Sequence, residues 1–405
     1  MNPYSWGNKT NNIFMEAPAG VGFSYCDTAA GCSHTDTSQA VDNLAAIKDF
    51  FSKFPELQAN DFWITGESYA GIYIPTLAQQ VIEDNAKKPA VTINLKGILV
   101  GNGCIGNQAG HCGNDPTGLN DYHDIQIWRG HALVSETNYD NIMKNCDWPN
   151  QSAKCDAELQ AAANAIGDID VYYLYNTCDD PVMARGAPVP RGSMLARVQK
   201  ARRERRIARG EDPLSTDPNC YATAASLESY LNTPAVKTAL HVPASIQYSL
   251  CSNNGTFNYN SNIADERKTV YPTITASGVT VVIYNGESQG APKRRRTNTA
   301  RPLTTLRRRP PHIPPTSSPR AGEADLCVPY TDNEWWTRSM NYTVKSPWAA
   351  WSVPGEHGPY VGGYLISYEN NFHFATVRGA GHMVPETRSE ASLAMMSAFV
   401  LGKRL

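Results

Sequence analysis

Gly66-Glu67-Ser68-Tyr69-Ala70-Gly71 is the stretch on which the reading of this fold turns. It is preceded by the β-formers Phe62-Trp63-Ile64-Thr65 and followed by a helical pattern from about Ile72 to Asp84. A serine framed as G-x-S-x-G between a strand and a helix can sit on a tight, exposed turn, because glycines on either side let the two backbones approach. The motif alone is common; its flanks give it meaning. Outward from it, Ala40, Val41, Leu44, Ile47, Phe50 and Phe51 fall at helical spacing within 38–53, with Ser38 as the expected N-cap. Leu95 to Val100 predicts a strand ending in Gly-Asn-Gly, and residues 12–25 read as a short buried strand entering a Gly/Pro turn.

Strand, turn, helix, strand is the pattern of a parallel sheet with crossovers. Sheet-like sequence returns at Val279 to Tyr284 and at Phe372 to Val377, and an amphipathic helix closes the chain from about Glu386 to Leu401. Between them, residues 107–231 lose the alternation and predict an inserted helical cap. The expected organisation is a first core part over 1–106, the cap over 107–231 and a second core part over 232–405. Within the cap, Met194 to Arg209 predicts an exposed basic helix or loop; without interleaved aromatics or a folded motif it does not point to nucleic acid.

The net charge of −2 is unevenly spread. Residues 290–321 carry nine Lys or Arg and no acid, so the rest of the chain stands near −11 (−2 minus 9). Segment 288–323 is rich in proline and lacks apolar periodicity, which predicts a disordered surface excursion. Hydrophobic residues make up 41% and charged ones 18%, as in a globular rather than a fibrous or disordered chain. No apolar run reaches the roughly 18 residues of a membrane span. Ten cysteines without metal-like spacing, together with sequons at Asn8, Asn150, Asn254 and Asn341, favour the secretory pathway. No zinc or other metal site is expected. Met1-Asn-Pro-Tyr-Ser-Trp has no apolar signal core, so either a signal has been removed or the start of the protein is absent.

A serine hydroxyl becomes a nucleophile only beside a base. Of nine histidines, His382 in Arg378-Gly-Ala-Gly-His-Met-Val-Pro385 has the best setting, a glycine-rich loop directly after a buried strand. His123, His131, His241 and His373 fit packing or surface roles, and Glu356-His357 fits a loop rather than a metal site. An acid must orient the imidazole. Asp325 lies between Ser68 and His382 in chain order and precedes a Val-Pro turn. Glu287 and Glu323 are its rivals, and Asp332 reads as a helix cap.

Together with this elbow, Asn2-Pro-Tyr-Ser-Trp6, Ala17-Pro-Ala-Gly-Val-Gly-Phe-Ser-Tyr25, Val100-Gly-Asn-Gly103 and Gly379-Ala-Gly-His-Met-Val-Pro385 resemble the signature blocks of serine carboxypeptidases, in order along almost the whole chain. The resemblance implies an α/β-hydrolase fold: a mostly parallel sheet flanked by helices, with an inserted cap. It implies a secreted, vacuolar or lysosomal enzyme that removes the C-terminal residue of a peptide or protein substrate through an acyl-enzyme, without a cofactor. Ser68 would be the nucleophile, His382 the base, Asp325 its orienting acid and the Tyr69 amide one oxyanion donor. Glu67, protonated, would bind the substrate's terminal carboxylate, implying an acidic pH optimum. An acyltransferase that passes the acyl group to an alcohol, or an inactive binding protein on the same scaffold, are the alternatives.

Two departures from the family pattern stand out. The block resembling Asn-Gly-Gly-Pro-Gly-Cys-Ser-Ser that should precede Asn2 is absent, and with it a second oxyanion donor; Cys251 resembles its cysteine's partner and would be left as a free thiol. Deleting residues 288–323 restores Tyr-Asn-Gly-Glu-Ala-Asp-Leu-Cys-Val-Pro-Tyr, so the segment reads as a retained intron or gene-model error.

Overall fold

Leu95-Lys-Gly-Ile-Leu-Val-Gly101 and Thr280-Val-Val-Ile-Tyr-Asn-Gly-Glu287 are near-continuous apolar runs, the composition of strands covered on both faces. The computed structural model describes residues 2–114, 119–148, 151–176, 193–211, 227–250, 257–287, 324–355, 358–403 and 405. Its strands are β1 Ser33–Thr35, β2 Phe62–Glu67, β3 Leu95–Gly101, β4 Asn258–Asn260, β5 Thr280–Glu287, β6 Val344–Val353, β7 Tyr360–Tyr368 and β8 Phe372–Arg378. The helices are α1 Asp36–Lys53, α2 Ala70–Ala86, α3 Leu119–Gly130, α4 Glu136–Asn145, α5 Ala153–Ile166 and α6 Met194–Ala208. They continue with α7 Pro234–Ala239, α8 Glu266–Thr269, α9 Tyr271–Ala276, α10 Tyr330–Ser339, α11 Val384–Thr387 and α12 Ser389–Val400.

The main sheet runs β2-β3-β5-β8-β7-β6. β2, β3, β5 and β8 are parallel neighbours, whereas β7 and β6 are antiparallel. Because side chains alternate across a strand, each central strand feeds two cores. Ile98, Val100, Val281, Ile283, Phe372 and Phe374 pack with Ile47, Phe51, Leu77 and Val81 of α1 and α2. On the other face Leu99, Val282, Tyr284 and Val377 pack with Ala391 and Met395 of α12. Phe372 is fully buried; trimming such a side chain to alanine typically costs about 3–5 kcal/mol. A sheet covered by helices on both faces is the α/β architecture expected. Helices α3 to α6 follow β3 and build a separate core around Trp128, Ile142, Leu159 and Val198, which Leu326 joins from the acid-bearing loop.

Several expectations are corrected. Residues 12–25 form no strand, and Phe14 is 93% exposed; the segment has no described strand beside it, and a strand exists only through its ladder. Helix α1 starts earlier than expected: Thr35, not Ser38, is the N-cap, and Ser38 completes a capping box from the third position. The basic helix α6 is only partly exposed. Met194, Leu195 and Val198 are buried in the core that α3 to α6 share, and Arg202 is buried with them. Asp332 is not the N-cap of α10; Pro329 holds that position without a side-chain bond, and Asp332 is buried in the first turn, accepting from the His111 amide at 2.9 Å. The last helix is two, split at Arg388. Strands β6 and β7 were not anticipated. Segment 288–323, Glu323, Cys251 and the Glu356-His357 pair lie outside the described residues.

Candidate active site

Ser68 follows β2 with a φ of 63°, the left-handed conformation that non-glycine residues adopt rarely and chiefly at functional turns. The turn is closed by short bonds: the Ser68 amide donates to Gly101 O at 2.9 Å, and the amides of Gly71 and Cys104 donate to Ser68 O at 2.8 and 3.0 Å. The flanking glycines are required by space. A Cβ on Gly66 would come within 2.6 Å of the Ala70 Cβ, and one on Gly71 would overlap the Cys104 backbone. The Cys104–Cys112 disulfide anchors that backbone. Helix α2 starts at Ala70, so the Tyr69 and Ala70 amides stand at its N-terminus; among the described residues neither donates to a backbone carbonyl.

His382 lies beyond β8, on the loop opened by Gly379, whose φ is 77°. Its Nδ1 is 2.8 Å from Asp325 Oδ2, and the two side chains are 4% and 0% exposed. A carboxylate only accepts, so Nδ1 carries the hydrogen and Nε2 is the basic nitrogen. Asp325 also accepts from the Asn102 amide at 2.7 Å and from the Cys327 amide at 2.7 Å, and Val328 N–H lies 3.3 Å from both its oxygens. Charge-assisted bonds of this kind offset much of the cost of burying a carboxylate. Ser68, Asn102 and His382 stand beyond the C-terminal ends of the parallel strands β2, β3 and β8, which share one sheet with β5 between β3 and β8, and Asp325 is tied to Asn102 and His382 there. That edge is where open α/β sheets bind ligands.

Glu67 precedes Ser68. Burial pushes its carboxyl up to about 7, aided by Asp325 and Glu386 and opposed by the His382 charge. It therefore keeps a proton up to near neutrality beside the His382–Asp325 pair. The Tyr69 side chain is held by its hydroxyl, which bonds Asp36 at 2.9 Å and Ser261 at 2.6 Å. Asp36 also accepts from Tyr259 OH at 2.8 Å and from the amides of Asn262 and Ile263 at 2.7 and 2.8 Å.

Glu287 is not placed as an acid for His382: its carboxylate accepts from Thr376 Oγ1 at 2.6 Å. Among the sequons, Asn8 and Asn341 are exposed, while Asn150 and Asn254 lie outside the described residues. Sequence reasoning missed Asp36, Asn102 and Tyr172. Only Asn102 left a signal, within the Gly-Asn-Gly block after β3.

A family model described as serine carboxypeptidase matches residues 1–291 and 320–402. Serine carboxypeptidase-like 40 of Arabidopsis thaliana is 32% identical to this chain, the alignment covering 98% of this chain and 66% of the relative. Serine carboxypeptidase 24 of the same plant is 30% identical over 100% of this chain and 75% of the relative. Serine carboxypeptidase ctsa-4.1 of Caenorhabditis elegans is 29% identical over 99% and 76%. The chain thus spans between 66% and 76% of the length of these three relatives. A solved structure of Kex1(delta)p, a prohormone-processing carboxypeptidase from Saccharomyces cerevisiae, superposes with a TM-score of 0.59 at 17% identity, over 99% of this chain and 76% of that one.

Proposed function

The chain belongs to the serine carboxypeptidase family, and from that premise we propose that it hydrolyses the C-terminal peptide bond of peptides and proteins through an acyl-enzyme on Ser68. The buried 2.8 Å contact between His382 and Asp325 carries this reading, because it fixes the tautomer that leaves Nε2 as a base. In the proposed reaction the Ser68 hydroxyl attacks the last peptide carbonyl and gives its proton to His382 Nε2. The Tyr69 amide stabilises the oxyanion, the charge-bearing oxygen of the tetrahedral intermediate. His382 then protonates the leaving amine, and water attacks the acyl group by the same route in reverse. Protonated Glu67 donates to the terminal carboxylate of the substrate; ionised, it would repel it.

The three described disulfides, Cys26–Cys32, Cys104–Cys112 and Cys146–Cys155, and the exposed sequons at Asn8 and Asn341 support an oxidising, lumenal or extracellular site of action.

The test is release of single C-terminal amino acids from a peptide library, read by mass spectrometry, with fluorophosphonate labelling of Ser68 in parallel. Loss of both in Ser68→Ala is expected. Labelling without release from any peptide, but with acyl transfer to an alcohol, would replace the peptidase by an acyltransferase. No labelling would leave a binding protein.

A further inference from the structure

Asn102 takes no part in the steps above, yet it stands at the end of β3 between the nucleophile turn and the acid. It is fully buried and holds a φ of 42°, a left-handed conformation that asparagine tolerates better than most residues. Its carboxamide can face only one way. Gly286 N–H lies 3.2 Å from Oδ1 and donates to it. The amide nitrogen therefore faces the opposite side, where it donates to Asp325 Oδ2 at 2.7 Å and lies 3.4 Å from Val328 O. Leucine would offer neither bond, and an ionised aspartate would set a second carboxylate against Asp325.

Asp325 Oδ2 is also the oxygen that accepts from His382 Nδ1 at 2.8 Å. Asn102 and His382 thus meet on one atom, and where that atom sits decides how the imidazole is turned. The brace spans a long stretch of chain, since Gly286 precedes residues 288–323 and Asp325 follows them. It is reinforced from behind. Asn285 donates to Val328 O at 3.1 Å and accepts from Asn333 at 2.9 Å, whose own oxygen accepts from Trp336 Nε1 at 2.7 Å.

We propose that Asn102 is a positioning residue for the acyl-transfer chemistry: its amide N–H fixes Asp325 Oδ2, and through it the orientation of His382. The inference rests on the serine-hydrolase reading above. The charged and titratable groups around this point are Asp325 and His382, with Glu67, Asp124 and Asp170 within electrostatic reach of Asp325.

The experiment compares Asn102→Ala and Asn102→Asp with the unaltered full chain. The rate of Ser68 labelling by a fluorophosphonate is measured from about pH 5 to 8, beside the thermal midpoint of each protein. Asn102→Ala loses a bond to a charged group and should label about 10- to 100-fold more slowly across that range. Asn102→Asp keeps the size and the acceptor for Gly286, and its carboxyl, once protonated, again donates to Asp325. Its rate should exceed that of Asn102→Ala by about tenfold at the acid end, where the carboxyl is protonated. A merely structural asparagine would leave the two variants equal at every pH. That outcome overturns the proposal, as does an alanine variant within about twofold of the unaltered chain. Should Asn102→Ala fail to fold, Asn102→Asp decides alone: a deficit that shrinks on acidification supports the proposal, and a constant one overturns it. Failure of the unaltered chain to label would overturn the hydrolase reading, and this inference with it.

Discussion

The backbone amide of His382 donates to the carbonyl of Tyr172 at 2.7 Å, so the helical insertion holds the loop that carries the proposed base. The same segment holds the acid. Leu174 donates to Ala324 O at 2.9 Å, and Leu326 donates to Val171 O at 2.7 Å. Residues 171–174 therefore act as a rail on which Asp325 and His382 are both strung, and the ring of Tyr172 lies 4.8 Å from that of His382. The segment between β3 and β5 thus sets the geometry of the pair.

The rail has its own clamp, and removing it should slow chemistry more than binding. Asp170 accepts from the amides of Tyr172 and Tyr173 at 2.9 and 3.2 Å and from Asn176 at 2.8 Å. Asp170→Ala orphans these donors at about 1–3 kcal/mol of destabilisation. The expected result is a fall in kcat of about tenfold or more with KM changed less than about threefold. Steady-state kinetics check it, and an unchanged kcat in a folded variant would refute the rail.

The carboxyl of Glu67, raised to about 7 by burial, predicts how activity depends on pH. In the proposed reaction its protonated form donates to the substrate's carboxylate, so peptide hydrolysis should decline as pH rises through about 7. Ester or amide-capped substrates have no terminal carboxylate and should not show this decline. Glu67→Gln keeps a donor that cannot ionise, and should remove the alkaline fall for free peptides. A fall of equal size in Glu67→Gln would place the titrating group elsewhere.

Much of this was legible before the structure, for physical reasons that differ from one element to the next. Leu95–Gly101, Thr280–Glu287 and Phe372–Arg378 are buried on both faces, so their composition alone marks them. β6 hid itself: it is an edge strand, largely exposed, and Pro347 breaks its pattern within a register shift between Ser346 and Ala349. Residues 12–25 misled in the opposite sense, since an apolar run signals burial but not which partner supplies it. Candidates Ser68, Asp325 and His382 could be named from motif and chain order. Asp36 and Tyr172 could not, because each makes its bonds to residues remote in sequence, which no local pattern encodes; for Asn102 the Gly-Asn-Gly block marked the place but not the partner, Asp325.

A buried acid on α8 predicts that stability depends on pH. Glu266 is fully buried, and among the described residues neither carboxylate oxygen has a hydrogen-bond partner. Burial raises its carboxyl well above the ordinary 4.5, with Asp36 and Asp265 adding to the effect. A raised carboxyl binds its proton more tightly in the folded than in the unfolded chain. Its contribution is full below 4.5 and is lost as pH rises toward the folded value. The thermal midpoint should therefore fall with rising pH, and Glu266→Gln should flatten that slope by a few degrees, at about 2–4 °C per kcal/mol. Calorimetry across pH checks this; parallel curves for the two proteins would rule Glu266 out.

Removal of residues 288–323 should leave the site working. Glu287 is held by the Gly379 amide, which donates to its carbonyl, and Ala324 by Leu174. Between these anchors Asn102 grips Gly286 on one side of the segment and Asp325 on the other, while Asn285 grips Val328. The family match also passes over residues 292–319. Joining Glu287 directly to Ala324 removes the entropy cost of closing 36 residues between two held ends, which favours the shortened chain. The deletion variant is expected to keep kcat/KM within about threefold and to match or exceed the thermal midpoint of the unaltered chain. A loss of more than about tenfold in kcat/KM with an unchanged midpoint would mean that the segment itself places Asp325, and that the carboxamide brace does not suffice.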